Sequence, residues 1–155
     1  MLFDETKTDS FTEFVSNVEA KLRHALTAAF GAEQGREAVA EALAYGWEHW
    51  DRLSGMDNPA GYLYRVGHNH AKKARTRRRV SLPEAPLAKV PWVEPGLPEA
   101  LARLSEQQRV AVYLVFGHEW STNEVAGFLG VSKATVQTHV ERGMRKLRRR
   151  LGVEV

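Results

Sequence analysis

Cysteine is absent from all 155 residues, which removes both a disulfide framework and any thiolate metal site. No apolar run comes near membrane-spanning length, and the polar start from Met1 to Ser10 is unlike a secretory signal. No membrane insertion and a cytoplasmic location are therefore expected. Also missing are a nucleophile with an adjacent base, a phosphate-cradling glycine loop and a carboxylate pair with an evident role, so the chain reads as a non-enzyme without a cofactor. Of the six histidines, His68 and His70 stand two apart on an expected helix and point about 200° from each other, poor geometry for one ion. No metal is expected. Internal repeats and strand-like alternation are lacking as well, which leaves an all-α chain.

Proline is nearly confined to one stretch: five of the six lie between Pro83 and Pro98, among small and acidic residues with no helical period. This predicts a linker over 80–96 between two small helical domains, 10–79 and 97–152. The net charge of +3 hides an uneven distribution. Residues 1–57 carry 11 acidic and 5 basic side chains, whereas 58–155 carry 8 acidic and 17 basic. Basic density peaks from Arg65 to Arg79 and again from Lys133 to Arg150, with seven Lys or Arg in each and only Glu141 opposing them. One such run is as well explained by a solvated helix as by a ligand; two point to a polyanion touched twice.

The second run lies in the most specific pattern of the chain. Ser121-Thr122-Asn123-Glu124 is a Ser-x-x-Glu capping box before Val125, Ala126, Phe128 and Leu129. Gly130-Val131-Ser132 supplies a turn, with Gly130 suited to positive φ and Ser132 to capping the next helix. From Lys133 the apolar stripe Val136, Val140, Met144, Leu147 and Leu151 leaves Ala134, Thr138, Arg142, Arg145 and Arg149 on the far side, with Gln137 and Glu141 flanking them. This is the spacing of a helix-turn-helix whose last helix can enter a major groove, small polar residues first and arginines behind. Upstream, Leu97 to Leu104 fits a short helix, and Ser105-Glu106-Gln107-Gln108 is a further box before Val110, Val112, Leu114, Val115 and Phe116.

In the amino-terminal half, Ser10-Phe11-Thr12-Glu13 carries the same signature. It predicts a helix from there to Gly31 with Phe11, Phe14, Val15, Val18, Leu22, Leu26 and Ala29 on one face. A second helix, about 33–53, puts Val39, Leu43, Trp47 and Trp50 on one side and Glu37, Glu41 and Glu48 on the other; Gly46 inside it would cost roughly 1 kcal/mol relative to Ala. Asn58-Pro59 reads as an N-cap with proline at the first helical position, opening a third helix through Tyr62, Leu63, Val66 and Asn69 into the first basic run.

Taken together, these residues resemble a bacterial RNA polymerase sigma factor of the extracytoplasmic-function type. The carboxyl-terminal match rests on Leu104-Ser105 with Arg109, Glu124-Val125-Ala126, Leu129-Gly130-Val131-Ser132, Thr135-Val136, Arg142-Gly143 and Leu147. LuxR-like activators would share much of it. The amino-terminal match, Asn58-Pro59-Ala60-Gly61-Tyr62-Leu63-Tyr64-Arg65-Val66-Gly67-His68-Asn69 followed by Arg77-Arg78-Arg79, is the discriminating one. Tyr62 stands where tryptophan is usual, and Ala40 where a glutamine precedes Glu41.

The resemblance implies a three-helix region 2 and a four-helix region 4, with core RNA polymerase, promoter DNA and an anti-sigma factor as partners. It assigns polymerase binding to Glu37, Glu41 and Glu48. To the −35 element it assigns Gln137, Thr138, Glu141 and Arg142, beside which Lys133, Arg145 and Arg149 are placed to anchor phosphates. To binding and melting the −10 element it assigns Asn58, Tyr62, Arg65, Asn69, Lys72, Lys73 and Arg75, with a flipped base near 55–58. For Tyr62 and Tyr64, packing competes with base stacking, and aromatic residues more often fill cores. Two other readings stand beside this one: a stand-alone helix-turn-helix regulator with a degenerate region 2, and an interaction protein that occupies polymerase or a sigma inhibitor without opening DNA.

Overall fold

The computed structural model describes residues 5–78 and 96–153, with side chains described for 5–76 and 96–153. The expected linker as far as Pro95, with its prolines from Pro83, and Arg79 lie outside the described residues. The chain divides into two compact units, Met1–Arg77 and Arg78–Val155. Every regular element among the described residues is helical.

In the first unit α1 (Glu5–Phe30) and α2 (Ala32–Glu48) form a hairpin closed by Gly31, whose φ of 90° is open to glycine at little cost. Helix α1 begins five residues before the expected cap. Its Ser10 therefore sits inside the helix, and the Ser10 hydroxyl accepts from the Trp50 indole at 3.2 Å instead of capping. The second helix also differs from expectation. It stops at His49 (φ −116°) before a short α3 (Trp50–Leu53), the His49 N–H donating to the Tyr45 carbonyl at 3.0 Å while the imidazole stacks on the Tyr45 ring. An aromatic group of Phe11, Phe14, Trp47 and Trp50, with centroids 4.8 to 5.5 Å apart in its closest pairs, fastens α1 to this end of α2 and to α3.

Helix α4 (Pro59–Arg78) starts as the sequence predicts, the Gly61 N–H donating to the Asn58 carboxamide oxygen at 3.0 Å. Glycines 61 and 67 weaken its intrinsic helicity by about 1 kcal/mol each. Burial offsets this: Leu63 is fully buried, a contribution of roughly 1.5–3 kcal/mol. The glycines of this unit also make room. A Cβ on Gly46 would lie 3.0 Å from Leu63 Cδ1, and one on Gly67 only 2.9 Å from the Ala38 carbonyl oxygen. Gly46 on α2 and Gly67 on α4 are thus both points where the two helices approach closely.

In the second unit α5 (Leu97–Ala102) is two residues shorter than expected, and α6 (Glu106–Val112) opens with the Ser105–Gln108 box fully formed. The helix then widens into a π-helical segment, Tyr113–Gly117, which leaves Phe116 59% exposed where the sequence pattern implied core. Helix α7 (Thr122–Leu129) carries the second complete box, Ser121 with Glu124, and ends on Gly130 in the left-handed region (φ 71°). Ser132 caps α8 (Lys133–Leu151) by accepting from the Thr135 N–H at 3.1 Å. The core joins Ala100, Leu104, Val112 and Leu147. Buried Gln108 adds a polar tie, its carboxamide oxygen accepting from Lys146 Nζ at 3.1 Å. A Cβ on Gly143 would meet Val112 Cγ2 at 2.7 Å, so glycine sets how closely α8 lies on α6.

Candidate nucleic-acid interface

The inward face of α8 holds buried Val136, Gly143 and Leu147, with Val140, Met144 and Leu151 half-buried. Lys133, Gln137, Thr138, Glu141, Arg142, Arg145 and Arg149 are all exposed. At about 100° per residue, Thr138, Arg142, Arg145 and Arg149 fall within one outward arc. The cap geometry of Gly130 to Ser132 sets the front of this helix, and its first three turns carry the residues able to pair with bases: Gln137 with adenine, Glu141 with cytosine N4, Arg142 with guanine. Further back the arginines are suited to phosphate. Lys146 is exposed, and its Nζ donates to Gln108.

A second exposed strip runs along α4. Leu63, Gly67 and Ala71 face inward, and opposite them Arg65, Asn69, Lys72 and Thr76 line up, with Tyr62 and Lys73 at the margins. Arg75 lies off this strip. It is half-buried, with its guanidinium over the Phe30 ring at 5.0 Å. Asn58 is engaged at the α4 amino terminus through its side-chain oxygen. Tyr64 turns towards His68, at a centroid distance of 5.8 Å, and is half-buried. On α2, Glu37, Glu41 and Glu48 are exposed along one side, opposite buried Ala38, Ala42 and Gly46.

Between α2 and the start of α4 lies a group that sequence reading missed. Arg52 Nη2 donates to the Tyr45 hydroxyl at 2.7 Å, and its guanidinium sits 5.5 Å above the Tyr62 ring. The Tyr45 and Tyr62 hydroxyls are 3.4 Å apart, and His49 stacks on the Tyr45 ring at 4.0 Å. This hydroxyl pairing separates the two phenols. The contact with Tyr62 raises the Tyr45 pKa, with burial adding to it, whereas the contacts with Tyr45 and then Arg52 lower that of Tyr62. Hydrogen bonding to Tyr62 and Tyr45 raises Arg52 further, so it stays cationic. A helical spacing of seven from Tyr45 to Arg52 was the one available hint. Among the described residues no group of three or more His, Cys, Asp or Glu could hold a metal ion, and no helix is long and apolar enough to cross a membrane.

Four helices ending in a helix-turn-helix, with a cationic outer face on the last, define a DNA-binding domain of the helix-turn-helix class. Residues 96–147 match the family described as sigma-70, region 4. Over 140 residues, 81% of this chain and 79% of its relative, the sequence is 29% identical to the extracytoplasmic-function (ECF) RNA polymerase sigma factor SigL of Mycobacterium tuberculosis. The same relative occurs in several strains of that species.

Two solved structures share the fold. One is the sigma factor RpoE in complex with the anti-sigma factor NepR from Bartonella quintana, with TM-score 0.69 and 20% identity, covering 94% of this chain and 99% of that one. The other is CnrH in complex with the cytosolic domain of CnrY, with TM-score 0.60 and 19% identity, covering 96% and 91%. The carboxyl-terminal unit therefore matches sigma-70 region 4 over residues 96–147, and the chain is similar to ECF sigma factors across both of its units.

Proposed function

We propose that this protein is a sigma factor that directs core RNA polymerase to particular promoters, with α8 reading the −35 element and the α4 strip binding and melting the −10 element. The observation that carries this reading is the similarity to an ECF sigma factor over 140 residues, which reaches well beyond the helix-turn-helix. A stand-alone regulator would need only the second unit, and it is not favoured. The exposed cationic strip on α4 supports a second contact with nucleic acid, and the acidic side of α2 supports a contact with a basic protein surface. Opposite charges on α2 and on the DNA-facing helices would steer polymerase to the first and DNA to the others. Because RpoE and CnrH are held by NepR and CnrY, a protein inhibitor is the natural regulator of this chain as well. Its location is then that of polymerase, the cytoplasm, and catalysis belongs to polymerase.

Run-off transcription with core polymerase, with and without this chain, on fragmented genomic DNA of the source organism tests the proposal. New transcripts sharing sequence elements upstream of their starts are the expected result. Their absence would sink the reading.

Two further outcomes are expected at particular faces. Glu41→Lys should weaken core polymerase binding while leaving the circular dichroism unchanged, since Glu41 is exposed on the polar side of α2. Equal affinity would remove this surface from the interaction. On α8, Gln137→Ala or Arg142→Ala should cost about 1–3 kcal/mol at particular upstream base pairs, whereas Arg149→Ala should weaken all sequences alike and shallow the salt dependence. Binding titrations against a set of single-base variants at several salt concentrations separate the two classes. Identical specificity profiles would show the helix faces to be misassigned.

A further inference from the structure

We propose that Arg52, held between Tyr45 and Tyr62, is a docking point for a phosphate of single-stranded DNA and extends the exposed strip of α4 past its amino-terminal end. The inference rests on the reading of α4 as a DNA contact and adds a residue from a different helix to it. The Arg52 side chain is exposed yet already ordered, by a 2.7 Å bond to the Tyr45 hydroxyl and by the Tyr62 ring beneath it. An arginine held this way loses less rotamer freedom on binding than a free lysine or arginine would.

Its interactions within the chain are with two phenols, and a guanidinium has five N–H donors. The rest of the fork remains for an anion, and its planar shape fits two phosphate oxygens. Tyr62 connects the group to the strip. It lies at the margin of the row Arg65, Asn69 and Lys72, so from Tyr62 to Lys72 the helix offers about 15 Å of cationic and amide groups along one side. A paired aromatic ring and guanidinium also suit an unstacked base better than a duplex edge, because any base has a π-face to offer.

The test uses the full-length chain and fluorescence anisotropy with a labelled oligothymidylate of about twelve nucleotides, and with a duplex of equal length, between about 50 and about 200 mM salt. Arg52→Ala should reduce single-strand affinity about tenfold at the lowest salt and reduce the slope of log K against log salt by about 0.7, the value for one lost phosphate contact. Arg52→Lys should keep that slope while regaining only part of the affinity. Tyr45→Phe should lower affinity with the slope unchanged, since the charge stays and only its positioning is lost. Duplex binding through α8 should change in none of them.

Wild-type affinity and slope in Arg52→Ala, with a loss in Lys72→Ala, would overturn the role of Arg52 and leave the α4 reading standing. No change in either variant, or no single-strand binding by the unmodified chain, would overturn both. A loss of affinity in Arg52→Ala with an unaltered slope would make Arg52 a packing residue.

Discussion

Asn69→Ala is expected to leave duplex binding by the helix-turn-helix nearly intact and to impair opening of the −10 segment. Asn69 is exposed near the middle of the α4 strip, between Arg65 and Lys72, and its carboxamide offers both a donor and an acceptor. Extruding a base costs a few kcal/mol, and a pair of hydrogen bonds to the freed base returns about 1–3 kcal/mol of it. The opening equilibrium should therefore fall by about 5- to 150-fold. A premelted −10 template should recover part of the loss, because the cost of unstacking has been met in advance while the missing contacts stay missing.

Permanganate footprinting of the holoenzyme on duplex and premelted templates measures both quantities. Normal melting by the variant would remove Asn69 from the mechanism. Failure to melt by the unmodified chain with core polymerase would favour a protein that binds DNA without opening it.

How much of this site was legible in the sequence depends on the range of the interactions involved. The boxes at Ser105 and Ser121 and the cap at Ser132 are local, each closed within three residues, and all three form. Ser10 has the same signature and does not cap, because α1 has already started at Glu5 and an indole 40 positions away takes its hydroxyl. Only the tertiary fold could decide between those outcomes. The outward face of α8 was legible because a 3.6-residue period gives both faces of a helix at once.

Helical spacing alone does not separate Arg75 from Lys72, three positions before it on the same part of the surface; tertiary packing does. Arg75 packs on Phe30. The Tyr45, Arg52 and Tyr62 group had no signal beyond the spacing of seven between Tyr45 and Arg52, since Tyr45 and Tyr62 are 17 residues apart and meet only because α2 and α4 pack together. Nor does any residue pattern announce the π-helical segment at Tyr113–Gly117, which turns Phe116 outward.

Gly46 gives the clearest case of a local weakness with a tertiary cause, and it leads to the largest expected change in stability. Leu63→Ala should destabilise the amino-terminal unit by about 2–5 kcal/mol, because Leu63 is fully buried and its removal leaves a cavity beside α2. A unit of this size has on the order of 4–11 kcal/mol to lose. Gly46→Ala alone should also destabilise, since the new Cβ would lie 3.0 Å from Leu63 Cδ1 and 3.2 Å from Phe11 Cε1, so that both packed side chains must give by a few tenths of an ångström.

In the Leu63→Ala background the sign should reverse. The added methyl then occupies vacated space, and the helix gains about 1 kcal/mol from replacing glycine by alanine. A double-mutant cycle, read by hydrogen exchange in α1, α2 and α4 so that the second unit does not contribute, gives the coupling directly. Additive effects of the two substitutions would mean that Gly46 is not where α4 is seated, and the close approach that presents Arg65, Asn69 and Lys72 to solvent would need another cause.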